Sequence, residues 1–185
     1  NLLRSEDNFK SIVSFSTPAM GRKKFANKNF SENHKWNELN YQNGDLNTSV
    51  IKTHLGRTIM VQWDETSPRP YTRLNLVQGT KGILAGGPTR AAFEGGFEDF
   101  TDGSNQWIKD DGIKRLYEKY DHPLYKRLNN KTKDSGHGGM DGIMMYRIIE
   151  CLNKGLPFDQ NVYEGCLWSA VAPLSELSVA MGGAP

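Results

Sequence analysis

Cysteine is scarce in this sequence. It occurs twice in 185 residues, as Cys151 and Cys166, too seldom for a disulfide scaffold and in neither a Cys-x-x-Cys pair nor a Cys/His cluster. Both lie in stretches that read as helical, so two buried thiols are expected. No run approaches the ~18 consecutive apolar residues that a membrane-spanning helix requires. Neither sign of charge dominates: 23 Lys and Arg stand against 21 Asp and Glu, a net +2, and they are interspersed. That leaves no electrostatic footprint for nucleic acid. The one short basic run, Arg22-Lys23-Lys24, reads as a solvated face. No signal peptide is visible. The chain opens at Asn1-Leu2-Leu3-Arg4 without Met, in what reads as the tail of a helix, so its natural start is expected upstream.

The standard chemical motifs are missing as well. No Gly-x-Gly-x-x-Gly turn follows a strand, and the nearest glycine cluster, Gly136-His137-Gly138-Gly139, has the wrong spacing for a dinucleotide fingerprint. There is no phosphate-binding Gly-Lys-Ser/Thr loop, no Gly-x-Ser-x-Gly elbow and no His-x-x-x-His zinc pair. The carboxylates are scattered, so no glycosidase dyad can be assigned. His34, His54 and His122 have no partner at a suggestive spacing. No catalytic, cofactor-binding or metal-ligating residue is therefore assigned to this chain.

Large apolar groups are present: four Trp, seven Tyr and eight Phe, with 37% hydrophobic residues overall. Such a chain can bury a core, and its length suits one domain spanning residues 1–185. The first two-thirds read as strands and the last third as helices. Thr48–His54 and Arg57–Asp64 flank a two-residue Leu55-Gly56 connection, a hairpin signal. In its second arm Ile59, Val61 and Trp63 alternate with Thr58, Met60 and Gln62. Further strands are expected at Phe9–Ser16, Thr72–Gln78 (Leu74 and Leu76 inward), Ile83–Ala85 and Ala91–Phe93. Lys23–Gly44 reads as a long polar connection whose Phe25, Phe30, Trp36 and Tyr41 pin it to the body. Helical patterns run through Ile113–Asn129, interrupted at Pro123, then from Asp141 to Gly155. A last helix is capped by Asp159 or Asn161 and kinked or shortened by Pro173. Strands first and helices later imply an α+β fold: an open, mainly antiparallel β-sheet with helices on one face and no Rossmann domain.

Two segments stand out. In Ser67-Pro68-Arg69-Pro70-Tyr71-Thr72-Arg73 the prolines stiffen a loop that holds out Arg69 and Tyr71. Arg can fork onto sugar hydroxyls, and Tyr offers a hydroxyl and a ring face. Packing of Tyr71 onto the sheet is the competing reading. In Ser135-Gly136-His137-Gly138-Gly139-Met140-Asp141 the glycines let backbone approach a ligand, and His137 could donate to a substrate hydroxyl. The competing reading is a tight helix entry, with Asp141 as cap and His137 satisfied by a backbone carbonyl.

Gly44-Asp45-Leu46-Asn47-Thr48-Ser49, Leu55-Gly56-Arg57-Thr58 and Thr66-Ser67-Pro68-Arg69-Pro70-Tyr71 resemble the C-terminal domain of glycoside hydrolase family 109. The resemblance continues through His137-Gly138-Gly139-Met140-Asp141, Gly155-Leu156-Pro157 and Asp159-Gln160-Asn161-Val162-Tyr163 to Leu167-Trp168-Ser169. That family contains NAD-dependent α-N-acetylgalactosaminidases within the Gfo/Idh/MocA oxidoreductase superfamily. The resemblance implies an N-terminal Rossmann domain that holds NAD and a C-terminal open sheet that closes the sugar pocket. Sheets of this type often pair between subunits, so a homo-oligomer through the sheet is expected. The implied route oxidises the sugar at C3, eliminates the glycosidic oxygen, adds water and returns the hydride, with the chemistry carried by the cofactor. The tyrosine after Pro-Arg-Pro matches a family substrate-binding tyrosine, which points to Tyr71, with Arg69 and His137 as further substrate-binding candidates. The family's Tyr-x-x-His acid/base segment and its NAD fingerprint are expected upstream of Asn1. The longer parent, rather than this piece alone, is then the enzyme. The compartment stays unassigned; exported family members point only to a periplasmic or surface home as one option. Two other readings stay open: the C-terminal domain of an NAD(P)-dependent sugar dehydrogenase, and a non-catalytic carbohydrate-binding or dimerisation module.

Overall fold

A computed structural model describes residues 7–103 and 105–185. The chain divides into two compact units, Asn1–Arg69 with Asp159–Pro185, and Pro70–Phe158. The class is α+β, and every paired strand among the described residues is antiparallel. Among the described residues six strands form two three-stranded sheets, one in each unit.

In the first unit β1 (Phe9–Ser16), β2 (Leu46–Thr53) and β3 (Thr58–Asp64) form a meander in that order. Alternation sorts their side chains into two faces. Register puts Ile12, Ile51 and Ile59 on one face together with Ser14, Ser49 and Val61. The helix α7 (Val171–Ala180) packs against β1, and Ile51 and Ser14 on that side are fully buried. Ser14 and Ser49 share a hydrogen bond at 2.8 Å, and the Ser14 N–H donates to Ser178 Oγ of α7 at 3.0 Å. Val13, Val50, Met60 and Phe15 share the other face, where Met60 is 72% exposed.

The hairpin between β2 and β3 turns through three residues rather than two. The Thr53 N–H donates to Arg57 O at 2.9 Å, leaving His54-Leu55-Gly56 as the loop, with Gly56 at φ 83°. Three-residue loops place their last residue in this left-handed region, which glycine occupies without a Cβ clash. The buried Asp7 carboxylate ties the turn down. It accepts N–H bonds from Leu55 and Asn8 at 3.0 Å each and pairs with Arg57 Nη1 at 2.5 Å.

The expected polar connection between β1 and β2 contains two helices, α1 (Gly21–Asn29) and α2 (Lys35–Glu38). Helix α1 shows no apolar stripe, which is why its sequence reads as coil. Its start is held from a distance: the Asp45 carboxylate accepts the Gly21 N–H at 2.9 Å and the Met20 N–H at 3.0 Å, satisfying donors a helix start leaves orphaned. The aromatics pack on one another. Phe30 stacks on His34 with ring centres 4.4 Å apart, and Trp36 meets it edge-on at 4.5 Å.

The last helix of the sequence reading is two helices, α6 (Val162–Ser169) and α7, meeting at Ala170. Asn161 caps α6 in a reciprocal box with Glu164, both bonds 3.0 Å. Pro173 falls in the first turn of α7, where a missing N–H costs nothing. Of the two thiols only Cys151 is buried; Cys166, on α6, is exposed, contrary to expectation.

In the second unit β4 (Leu76–Gly79), β5 (Gly82–Ala85) and β6 (Arg90–Phe93) form a second meander. The expected strand Thr72–Gln78 shrinks to its end. Leu74 has φ 44°, which breaks extended pairing, and its N–H turns back to Thr72 Oγ1 at 3.2 Å. Leu74 and Leu76, expected inward, are each 57% exposed. The core lies elsewhere: Ala91 and Phe97 with Ile108, Ile113 and Leu116, the last two on α3 (Asp110–Tyr120). The helix α4 (Pro123–Thr132) starts at the predicted break, with Pro123 in its first turn. It packs on α5 (Met140–Lys154), where Glu150 receives Arg147 at 3.0 Å and Lys154 at 2.9 Å.

Candidate functional site

The stiff segment after β3 begins as a turn built on Asp64. Its carboxylate accepts the Ser67 N–H at 3.1 Å and pairs with Arg69 Nε at 3.1 Å. The Ser67 N–H, the Ser67 hydroxyl and the Arg69 charge outweigh burial and hold Asp64 below the usual carboxylate range. The Arg69 side chain is half-exposed, anchored through Nε. It is the last residue of the first of the two segments that make up the first unit.

Tyr71 belongs to the second unit and is 84% exposed, so its ring does not pack onto a sheet. Its Oη accepts a hydrogen bond from Arg73 Nε at 2.8 Å. That bond raises the Arg73 guanidinium further above its ordinary value, so Arg73 stays charged. With one lone pair committed to Arg73, the Tyr71 hydroxyl proton is directed away from the guanidinium.

His137 opens a short 3-10 turn, His137–Gly139, directly before α5. Asp141 does not cap α5. That task falls to Ser135, whose Oγ accepts the Gly142 N–H at 3.0 Å. The Asp141 carboxylate instead faces the His137 ring, with Nδ1 at 2.9 Å and 3.1 Å from its two oxygens. His137 is thus satisfied by a carboxylate one helical turn on, not by a backbone carbonyl.

Arg69, Tyr71 and His137 therefore sit in three separate pairings, with Asp64, Arg73 and Asp141. The sequence reading missed all three of these partners. The His137/Asp141 spacing of four was a readable signal, since i and i+4 share a helix face. Nothing local announced the Tyr71–Arg73 bond, which depends on how the loop folds.

Two hollows in the first unit were not foreseen either. A groove of about 680 Å³ lies between the α7 face of the sheet and the α6–α7 helices, lined by Trp63, Trp168, Asn47, Ser169 and Glu176 among others. Another, of about 520 Å³, is walled by Phe25, Trp36, Leu39 and Tyr41 beside the Arg22–Glu65 ion pair. Their linings come from segments far apart in the chain.

The described residues do not form a Rossmann cradle for dinucleotide phosphates, which is a glycine turn between a parallel strand and a helix. Here Gly136–Gly139 follow helix α4, and the strands among the described residues pair in antiparallel fashion. Among the described residues no group of three or more His, Cys, Asp or Glu could hold a metal ion, and no helix is long and apolar enough to cross a membrane.

The family model for the glycosyl hydrolase 109 C-terminal domain matches residues 1–185. Glycosyl hydrolase family 109 protein 1 of Akkermansia muciniphila is 55% identical over 190 residues, covering 100% of this chain and 38% of that protein. Protein 2 of the same organism is 51% identical, with 100% and 39% covered. The family 109 protein of Shewanella amazonensis is 49% identical over 182 residues, covering 96% of this chain and 38% of its own length. The chain thus spans less than two-fifths of the relatives it matches. On this evidence the chain belongs to glycosyl hydrolase family 109, in its C-terminal domain.

Proposed function

We propose that this chain is the substrate-binding half of an NAD-dependent glycosidase acting on α-N-acetylgalactosaminides, working with a nucleotide-binding domain elsewhere in a longer protein. The observation that carries the reading is Tyr71. It stands where the family resemblance places a substrate tyrosine, and its ring is almost wholly exposed with a hydroxyl oriented by Arg73. An aromatic face suits the C–H side of a sugar ring, and an oriented hydroxyl suits a ring substituent. Arg69 keeps a planar donor fork anchored at Nε. His137 presents its second ring nitrogen. The cofactor's chemistry lies outside these residues; their work is to bind and orient.

The Val50, Met60 and Phe15 face of β1–β3 is the surface we assign to pairing between subunits. It is sheet-borne and exposed, and its apolar Val50, Met60 and Phe15 are interspersed with Thr48, Lys52 and Gln62.

Tyr71→Phe in the full-length protein tests the reading. It removes one hydroxyl and keeps the ring. We expect kcat/KM on p-nitrophenyl α-N-acetylgalactosaminide to fall roughly tenfold, the worth of a hydrogen bond whose partner is left unpaired, with NAD affinity unchanged. Unchanged kinetics would remove Tyr71 from the site.

A further inference from the structure

The sheet of the first unit changes character along its length. On the face that α7 covers, side chains line up in rows across β1, β2 and β3. One row is Ile12, Ile51 and Ile59, the next Ser14, Ser49 and Val61, and the last Ser16, Asn47 and Trp63. The first row is what a core requires, and Ile51 is fully buried there. The last row does not serve a core. Asn is depleted in strands, and Trp63 is 61% exposed. This polar end is one side of the groove of about 680 Å³, and α6 and α7 supply the other through Trp168, Ser169 and Glu176. That volume falls in the range of small-molecule sites.

The lining groups narrow what can enter. Trp63 Nε1 donates to Glu65 Oε1 at 2.9 Å, which fixes the indole plane and leaves its faces to other contacts. Trp168 on α6 is 50% exposed. Asn47 Nδ2 donates to Asn43 Oδ1 at 3.3 Å and to Gly44 O at 3.4 Å, so the Asn47 carbonyl oxygen remains as an acceptor. The Glu176 carboxylate only accepts, pairs with no cation among the described residues, and shares the groove with no Lys, Arg or His. Two exposed indoles beside unpaired acceptors call for a ligand with an apolar face, several hydroxyl donors and no negative charge. A nucleotide, a phosphate or an acidic sugar would meet an uncompensated carboxylate. A quaternary ammonium would suit the indoles and Glu176 but has no proton to give Asn47. A neutral pyranose ring meets every requirement: its C–H face stacks on an indole while hydroxyls at its edge donate.

We propose that this groove binds a neutral pyranoside, with its C–H face on the indoles of Trp63 and Trp168 and its hydroxyls donating to Glu176 and Asn47. The inference rests on the groove alone. It requires neither Tyr71 nor the hydrolysis proposed above, and every residue it uses belongs to the first unit.

Saturation-transfer NMR on the full-length protein reads the binding directly, with lactose, cellobiose and N,N′-diacetylchitobiose as neutral probes and sialyllactose as an acidic one. None of them is an α-N-acetylgalactosaminide, so the proposed turnover does not consume them. We expect a neutral disaccharide to bind and sialyllactose to bind more weakly. Trp168→Ala, with a thermal melt matching wild type, should weaken the Kd roughly tenfold, and Trp168→Phe, which keeps a ring, should recover most of the loss. Glu176→Gln should weaken neutral binding by about fivefold and narrow the preference over sialyllactose, a change in selectivity that lost packing does not produce. If Trp168→Ala fails to fold, the exposed Glu176 decides through that selectivity. Absence of binding by all three neutral disaccharides overturns the proposal, and a groove covered by the rest of the full-length chain would give that result. Equal binding by wild type, Trp168→Ala and Glu176→Gln overturns it too, as does a preference for sialyllactose.

Discussion

Ser178 sits on α7 with 2% of its surface exposed and joins two parts of the first unit through one hydroxyl. It accepts the Ser14 N–H of β1 at 3.0 Å and donates to Ala184 O at 2.6 Å. Ser178→Ala keeps the helix and loses both bonds. The Ser14 amide is buried, so it is left without a partner, which costs about 1–3 kcal/mol. The Ala184 carbonyl lies near solvent and recovers water, adding about 0.5 kcal/mol. The sum is about 1.5–3.5 kcal/mol, a large fraction of the stability of a unit this size. Urea unfolding followed by tryptophan fluorescence reads the unit through Trp36, Trp63 and Trp168 once Trp107 of the second unit is replaced by Phe in every variant. With a slope of about 1–2 kcal/mol per molar, the midpoint should fall by about 1 to 3 M. Ser175→Ala, one turn earlier on the same helix, removes only a bond to Ala172 O within the helix and should change stability by less than about 0.5 kcal/mol. If both variants unfold at the same urea concentration, the buried serine link does not hold α7 to the sheet.

Two further outcomes are expected. Burial raises the Asp7 carboxyl, but the Leu55 N–H, the Arg57 guanidinium, the Thr53 hydroxyl and the Asn8 N–H outweigh it and hold the group at about 2, against 3.8 for an ordinary aspartate. Because the folded value is depressed, its stabilisation is present above pH 3.8 and lost as pH falls through about 2. Thermal melts in acid should show Asp7→Asn less stable than wild type near neutrality and the gap closing over that window; a constant gap would refute the linkage. Met60→Glu places a charge on the open face of β1–β3 without touching the buried one. Pairing through this face predicts that sedimentation finds an oligomer for wild type and a smaller species for Met60→Glu; a monomeric wild type or an unchanged assembly would refute it.

Much of the fold was legible because its signals are local. The period-two alternation of β3 set which of its residues face α7, and the β1 bounds followed from the run Phe9–Ser16. Pro123 marked the start of α4 because its ring cannot continue a helix interior. Other elements were hidden for equally physical reasons. Helix α1 shows no apolar stripe, and its orphan N–H groups are satisfied by Asp45, a residue twenty-four positions beyond Gly21. Leu74 looked like a strand residue by hydrophobicity, yet Thr72 turns its backbone out of the sheet. Cys166 read as core because thiols usually are buried, but it lies on the exposed side of α6.

The candidate site divides in the same way. Pro-Arg-Pro-Tyr and His-Gly-Gly-Met-Asp were visible as motifs, because proline stiffness and glycine freedom are properties of the residues themselves. The sequence alone therefore settled the family, the α+β class and the segments worth watching. Which partner each side chain takes was decided only by tertiary structure. A hydrogen bond depends on distances of a few tenths of an ångström, and those are set by turns, helix starts and strand ends that no single residue encodes. Tyr71 could pair with Arg73, and Asp141 could turn from helix cap to histidine partner, only once the backbone around them had taken its shape.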